Sequence, residues 1–199
     1  MSEYTKQTLE YYDAHASEFL LDTGYVDFSD LQNLFIDELE DGASILDVGC
    51  GSGRDIVAFS QAGFKVDAFD GSSELCKLAS KLSGQPVSRA LFDEYEPDGL
   101  YQGIWACSAF LHVSREELPD LLEKYGRHLE RDGVMYLSFK YGNFEGMRNG
   151  RFFLDLTEES FGQIIGNVTG LKVKRYWYTY DVRTGRDDEK WLNICCAQE

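Results

Sequence analysis

The residues best suited to chemistry lie in one stretch, Ile45-Leu46-Asp47-Val48-Gly49-Cys50-Gly51-Ser52-Gly53-Arg54-Asp55. Glycines at alternate positions remove side chains where a ligand can lie against bare backbone, and they permit positive φ in a tight turn. A helix opening just after such a turn offers unpaired backbone N–H groups to a polar ligand. The spacing is G-x-G-x-G, not the dinucleotide fingerprint G-x-G-x-x-G, and no lysine with a following serine or threonine is there to grip phosphate. Asp47 stands inside the apolar run, two residues before the first glycine. A carboxylate there suits a ligand with a cationic group better than one with a pyrophosphate.

Three further groups have chemical potential. Asp70 lies 23 residues beyond Asp47 and 17 beyond Gly53. A carboxylate about 20 residues past a nucleotide-binding glycine turn can accept both hydroxyls of a ribose; its alternative role is to cap the helix that Gly71 and Ser72 open. His112, with an ordinary pKa near ~6.5, has the chemistry of a general base, or else is a satisfied structural histidine. The segment 140–153 mixes glycines, charges and aromatics, and Lys140, Tyr141, Glu145, Arg151 and Phe152 are its candidate substrate contacts. Open α/β folds carry functional loops above the carboxyl ends of their strands, and arginine offers a planar fork for carboxylate or phosphate. The alternative there is a solvated surface loop.

These groups need elements to hold them. Residues 2–21 read as a helix with Leu9, Tyr12, Phe19 and Leu20 as apolar contacts, and 28–40 as a second one, stopped by Gly42. The run 45–48 reads as a buried strand, followed by a helix to about Ala62. A second strand over 64–70 ends at Asp70, and a helix reaches about Leu82. Strands are expected over 85–91, 101–107 and 134–140. Ser114 with Glu117 forms a capping box that predicts a helix from Arg115 to about Leu129. A last helix starts at Thr157, and 171–182 and 191–197 read as two strands joined by Arg183-Thr184-Gly185-Arg186-Asp187-Asp188. Near that tip, Asp181, Arg183 and Arg186 are expected to pair with each other, with contact to substrate as the alternative. No repeat, low-complexity tract or linker interrupts the pattern, so one domain over 1–199 is expected, with 1–42 as a helical cap and 43–199 as the α/β core.

Composition narrows the function classes. The 199 residues are 43% hydrophobic and 27% charged, ordinary for a globular protein, and no apolar run approaches the ~18 residues of a membrane helix. The net charge is −16; residues 1–139 hold 10 Lys and Arg against 26 Asp and Glu, while 140–199 hold 9 of each. Nucleic-acid binding rests on a basic footprint, so this balance disfavours it, with the late basic groups as the one counter-argument. Cysteines 50, 76, 107, 195 and 196 form no C-x-x-C pair. Reduced thiols, no metal site and a cytoplasmic protein without a secretion signal are expected.

The run Ile-Leu-Asp-Val-Gly-Cys-Gly-Ser-Gly resembles the first motif of class I S-adenosylmethionine (SAM) dependent methyltransferases, and the order of elements from residue 43 onward resembles that superfamily. In style it is similar to small bacterial methyltransferases of the tellurite-resistance and metabolite-modifying type. The resemblance implies a Rossmann-like sheet of seven mostly parallel strands, helices on both faces and an antiparallel C-terminal hairpin strand. It implies SAM as cofactor and S-adenosylhomocysteine (SAH) as product. Gly49, Cys50, Gly51 and Gly53 would lie along the methionine moiety, Asp47 would orient its ammonium, and Asp70, Gly71 and Ser72 would serve the ribose. Phe92 and Asp93 would hold the adenine, and Cys107 would border the cofactor. The N-terminal cap would bring Tyr11, Tyr12 and His15 over the site, with ordinary packing of a leading helix as the alternative, and His112, Tyr11 and Lys140 would be the catalytic candidates. Gln102 stands where many relatives begin the strand with aspartate; a small effect is expected. A small metabolite is the expected acceptor, taken by a monomer or homodimer. A tRNA or protein substrate and a non-catalytic SAM- or SAH-binding subunit are the alternatives.

Overall fold

The computed structural model describes residues 1–183 and 185–198. Thr184, in the expected C-terminal connection, and Glu199, the end of the expected core, lie outside the described residues. Among the described residues there are nine strands: β1 (Ser44–Val48), β2 (Lys65–Asp70), β3 (Ser88–Arg89), β4 (Tyr101–Ala106), β5 (Leu129–Lys140), β6 (Glu145–Arg148), β7 (Arg151–Leu154), β8 (Leu171–Tyr180) and β9 (Lys190–Gln198). Seven form one sheet in the order β3-β2-β1-β4-β5-β9-β8, parallel except at β9, which runs against both neighbours.

Alternation along the strands builds two apolar layers. Leu46, Ile104, Met135 and Leu137 face one side, where α5 (Leu118–Gly126) and α6 (Glu158–Ile165) supply Leu118, Leu122, Tyr125 and Phe161. Ile45, Trp105 and Tyr136 face the other, against Leu31 and Phe35 of α2 (Ser29–Ile36) and Phe59 of α3 (Arg54–Gln61). Strands covered on both faces become near-continuous apolar runs, as Ile45 to Val48 is. Strand order reverses between β1 and β4, the point where open α/β sheets leave a crevice at the carboxyl ends.

The N-terminal helix α1 (Glu3–Thr23) closes this crevice. Ser2 caps it, accepting the Thr5 N–H, and the backbone leaves helical geometry at His15 (φ −118°, ψ 18°). Thr8 Oγ1 accepts the Phe152 N–H of β7 at 2.9 Å. Asp13 Oδ1 accepts the Ser72 hydroxyl at 2.6 Å and the Glu74 N–H at 3.1 Å, at the start of α4 (Ser73–Ser83). Among the described residues no helix is long and apolar enough to cross a membrane.

Four expectations need correction. The second helix ends at Ile36, because Glu38 and Leu39 turn back in i→i+3 bonds to Phe35 and Ile36. The third strand shrinks to Ser88–Arg89: Pro86 has no N–H to give, and the Val87 N–H goes to Ser80 Oγ at 3.0 Å. Ser114 and Glu117 do exchange backbone-to-side-chain bonds (3.1 and 3.3 Å), but they close a separate turn and the helix begins at Leu118. Pro119 in its first turn lacks the N–H that would carry a helix through from Arg115. Finally, 140–153 is no open loop. Asn149 and Gly150 both have positive φ (52° and 78°) and turn β6 into β7. Asn-Gly is the preferred centre of such a two-residue hairpin.

Candidate active site

At the carboxyl ends of β1, β2, β4 and β5 lies a cavity of about 1170 Å³. Its floor is the glycine turn. Gly49 has φ 68°, and a Cβ there would stand 2.9 Å from the Ala109 Cβ. The Gly49 and Cys50 N–H groups both bond the Phe69 carbonyl at 3.0 Å, drawing the turn onto the end of β2. Asp70 completes the tie: one oxygen accepts the Gly51 N–H at 2.9 Å and the other the Ser72 N–H at 2.8 Å. Burial raises the Asp70 pKa, while these backbone donors oppose the rise. Each carboxylate oxygen keeps lone-pair capacity toward the cavity.

Asp47 is different. It is 2% exposed, and its Oδ2 has no hydrogen-bond partner. Burial, then the neighbouring Asp55, push its pKa well above the usual carboxylate range. A buried acceptor without a donor is costly, and a cation brought to it would relieve both the orphaned atom and the suppressed ionisation. Asp55 is the settled counterpart. Burial works against its charge, but Arg54 (2.9 Å to each oxygen), Gln32 Nε2 (2.7 Å) and Trp105 Nε1 (2.9 Å) hold its pKa low.

The opposite wall carries His112, Tyr12 and Arg151. His112 Nδ1 lies 2.7 Å from the Phe152 carbonyl and Nε2 lies 2.8 Å from the Tyr12 hydroxyl. A carbonyl can only accept, so Nδ1 carries the proton, and Nε2 accepts from Tyr12. Burial drops the His112 pKa to about 4, leaving a neutral imidazole. Burial raises the Tyr12 pKa, with Arg151 as the main opposing influence. Arg151 Nη1 reaches the Tyr12 oxygen at 3.4 Å. At the end of β4, Ser108 holds positive φ (54°), with its N–H bonded to Ser138 Oγ at 2.8 Å. Strain of this kind in a non-glycine residue is found where a site over-determines the backbone.

Asp47, Gly49, Cys50, Gly51, Asp70, Gly71, Phe92, Asp93, Cys107, His112, Lys140, Tyr141, Tyr12 and Arg151 all line the cavity. Others named from sequence do not. Gly53 (φ 87°) faces α4, where a Cβ would meet the Ala79 Cα at 2.9 Å, so it sets helix-to-helix packing. Ser72 is fully buried as the cap of α4, accepting the Leu75 N–H. Tyr11 and His15 stack on each other with ring centroids 4.2 Å apart, outside the lining, and Tyr11 covers Gly150. Glu145 is tied to Arg115, accepting its N–H at 2.9 Å. Phe152 stacks on Tyr4 in the core, and its neighbour Phe153 takes the cavity wall. Lys140 is ion-paired with Glu189. Asp181, Arg183 and Arg186 do line the cavity; the Asp181–Arg183 pair forms as expected, Nη2 to Oδ2 at 2.5 Å, but Arg186 joins no ion pair among the described residues. Gln102 accepts the Glu40 N–H, away from the cavity. Sequence reading missed Arg54, Ser108, Ser138 and Glu189; the positive φ of Ser108 has no signature in residue type.

Residues 45–133 match the family model described as methyltransferase domain. Solved structures share the fold. A 1,6-didemethyltoxoflavin-N1-methyltransferase from Burkholderia thailandensis superposes with TM-score 0.77 at 16% identity, covering 98% of this chain and 89% of its own. Magnesium protoporphyrin IX methyltransferase from Synechocystis PCC 6803 gives 0.76 at 15%, over 98% and 100%. A TehB-like SAM-dependent methyltransferase from Corynebacterium glutamicum gives 0.71 at 19%, over 94% and 99%. The matched segment spans the glycine turn and the first half of the sheet, and the fold around it is one shared with solved SAM-dependent methyltransferases. Among curated protein sequences nothing matches it.

Proposed function

We propose that the chain methylates an oxygen, nitrogen or sulfur nucleophile of a small metabolite, with SAM as donor. One observation carries this reading: the cavity's acidic floor and its aromatic, basic wall enclose a single space of about 1170 Å³. Pockets for one small ligand span roughly 300–1000 Å³, so cofactor and acceptor fit together. SAM supplies an electrophilic methyl group on its sulfonium. Asp47 would hold its ammonium, Asp70 the ribose hydroxyls, and Phe92 with Asp93 the adenine. On the acceptor side His112 is a positioning residue. Its neutral ring, locked by the Phe152 carbonyl, fixes the Tyr12 hydroxyl beside Arg151. With Lys140 paired to Glu189, alignment of the acceptor is the main contribution of the chain. The five cysteines are all free and four are buried, which supports a reducing, cytoplasmic setting.

The net charge of −16 repels polyanions and favours the metabolite over tRNA. The test uses SAM labelled at the methyl group, incubated with the protein and a cell extract that is then divided into small molecules, RNA and protein. Label among small molecules is expected. Label in RNA or protein overturns the metabolite reading. No label anywhere, with SAM bound, favours the non-catalytic alternative.

A further inference from the structure

Three cations of the acceptor wall are ion-paired, and a fourth is held by aromatic rings. Lys140 is held by Glu189, Arg148 by Asp155 at 2.6 Å, and Arg183 by Asp181 at 2.5 Å. Lys190 rests on the rings of Tyr141 and Tyr178, 3.9 and 3.5 Å from their centroids. Arg151 and Arg186 line the same wall with no carboxylate partner among the described residues, and of the two only Arg151 has a buried, unbonded Nε. Its guanidinium carbon lies 4.5 Å from the Tyr11 ring centroid, 5.6 Å from that of Tyr12 and 5.1 Å from that of Phe153. Three rings thus strip water from a cation in a strongly acidic chain that nonetheless leaves it without an anion. A half-buried charge held this way gains most from a ligand that supplies the missing partner.

We infer that the acceptor is a small aromatic carboxylic acid whose carboxylate pairs with Arg151, an inference that rests on the methyl-transfer reading above. The planar guanidinium suits the planar carboxylate. Tyr12, Tyr141, Phe153 and Trp191 along the same wall provide the surface for an aromatic body. The Asn149-Gly150 turn gives the wall its origin, because it sets Arg151 at the start of β7 facing Tyr12 of α1.

The experiment is calorimetric titration of SAH-saturated protein with benzoate, benzamide and inorganic phosphate. Saturable benzoate binding at least tenfold tighter than benzamide or phosphate is expected. Arg151→Gln should abolish the preference and Arg151→Lys should recover part of it, with SAH affinity of each variant reporting that it is folded. Equal affinity for benzoate and benzamide, no saturable benzoate binding, or a preference unchanged in Arg151→Gln overturns the inference. Phosphate binding tighter than benzoate overturns the carboxylate class. SAH binding by the unmodified protein is read in the same cell: its absence brings down the methyl-transfer reading, and its presence without a benzoate preference brings down only the acid.

Discussion

Asp47 and Asp70 share one cavity floor but are held in opposite ways, and the difference predicts how pH acts on ligand binding. Asp70 has a backbone donor on each oxygen, whereas Asp47 has an oxygen with none. A cation bound beside Asp47 favours its ionised form, so SAM binding should release a proton, and affinity should fall as pH drops through the raised pKa. Calorimetry in buffers of different ionisation enthalpy reads that proton. Buffer-independent heats, or unchanged release in Asp47→Asn, would count against the assignment. His112 affects stability instead. Its folded pKa of about 4 lies below the ordinary ~6.5, so the unfolded chain binds more protons between those values. Stability should therefore be lost as pH falls through that window, by up to about 1.4 kcal/mol per pH unit, and be fully present above it. Denaturant midpoints across pH 4–7 should show this slope, reduced in His112→Gln; an equal slope in both would refute it. The location of His112 was legible from the sequence because it follows the fourth strand. Its role was not, because the Phe152 carbonyl that fixes its tautomer comes from 40 residues away and only the fold unites them.

Most elements could be read from periodicity, since β1, β2, α4 and β9 each repeat an apolar pattern that burial then satisfies. Errors fell where a local signal competed with a neighbour. The Ser114–Glu117 box was real, but Pro119 moved the helix start. The Asn149-Gly150 pair was a hairpin signal hidden in a stretch dominated by charge. Gly53 belongs to the glycine turn, and its absent side chain also makes room for α4. Gly53→Ala should lose about 1–3 kcal/mol, from a strained φ of 87° and contact with the Ala79 backbone, with fluorescence-monitored unfolding as the measurement. A loss below 0.5 kcal/mol would show that α4 gives way. Asp13 ties α1 to the start of α4 through Ser72 and Glu74, so Asp13→Ala should cost about 1 kcal/mol and raise proteolytic cleavage within residues 1–24. Unchanged cleavage would mean that Thr8 and Tyr4 hold the helix without it.

At the scale of the whole molecule, charge is divided along the cavity. The floor gathers Asp47, Asp55, Asp70 and Asp93 with Arg54 paired to Asp55, and the far wall sets Lys140, Arg148 and Arg183 against Glu189, Asp155 and Asp181 and leaves Arg151 without a carboxylate among the described residues. A donor carrying positive charge fits the first, and the unpaired Arg151 of the second suits an acceptor carrying negative charge. The composition showed this division as an acidic first two-thirds and a balanced remainder, but only the sheet order brings the two regions face to face. If the acidic floor is the SAM site, calorimetric titration of SAM into the protein and into Asp70→Ala reads it most simply. Saturable one-site binding, weakened at least tenfold in a variant that keeps its folded circular dichroism spectrum, is the predicted result. Equal affinity in the two, or no binding to the unmodified protein, would contradict it.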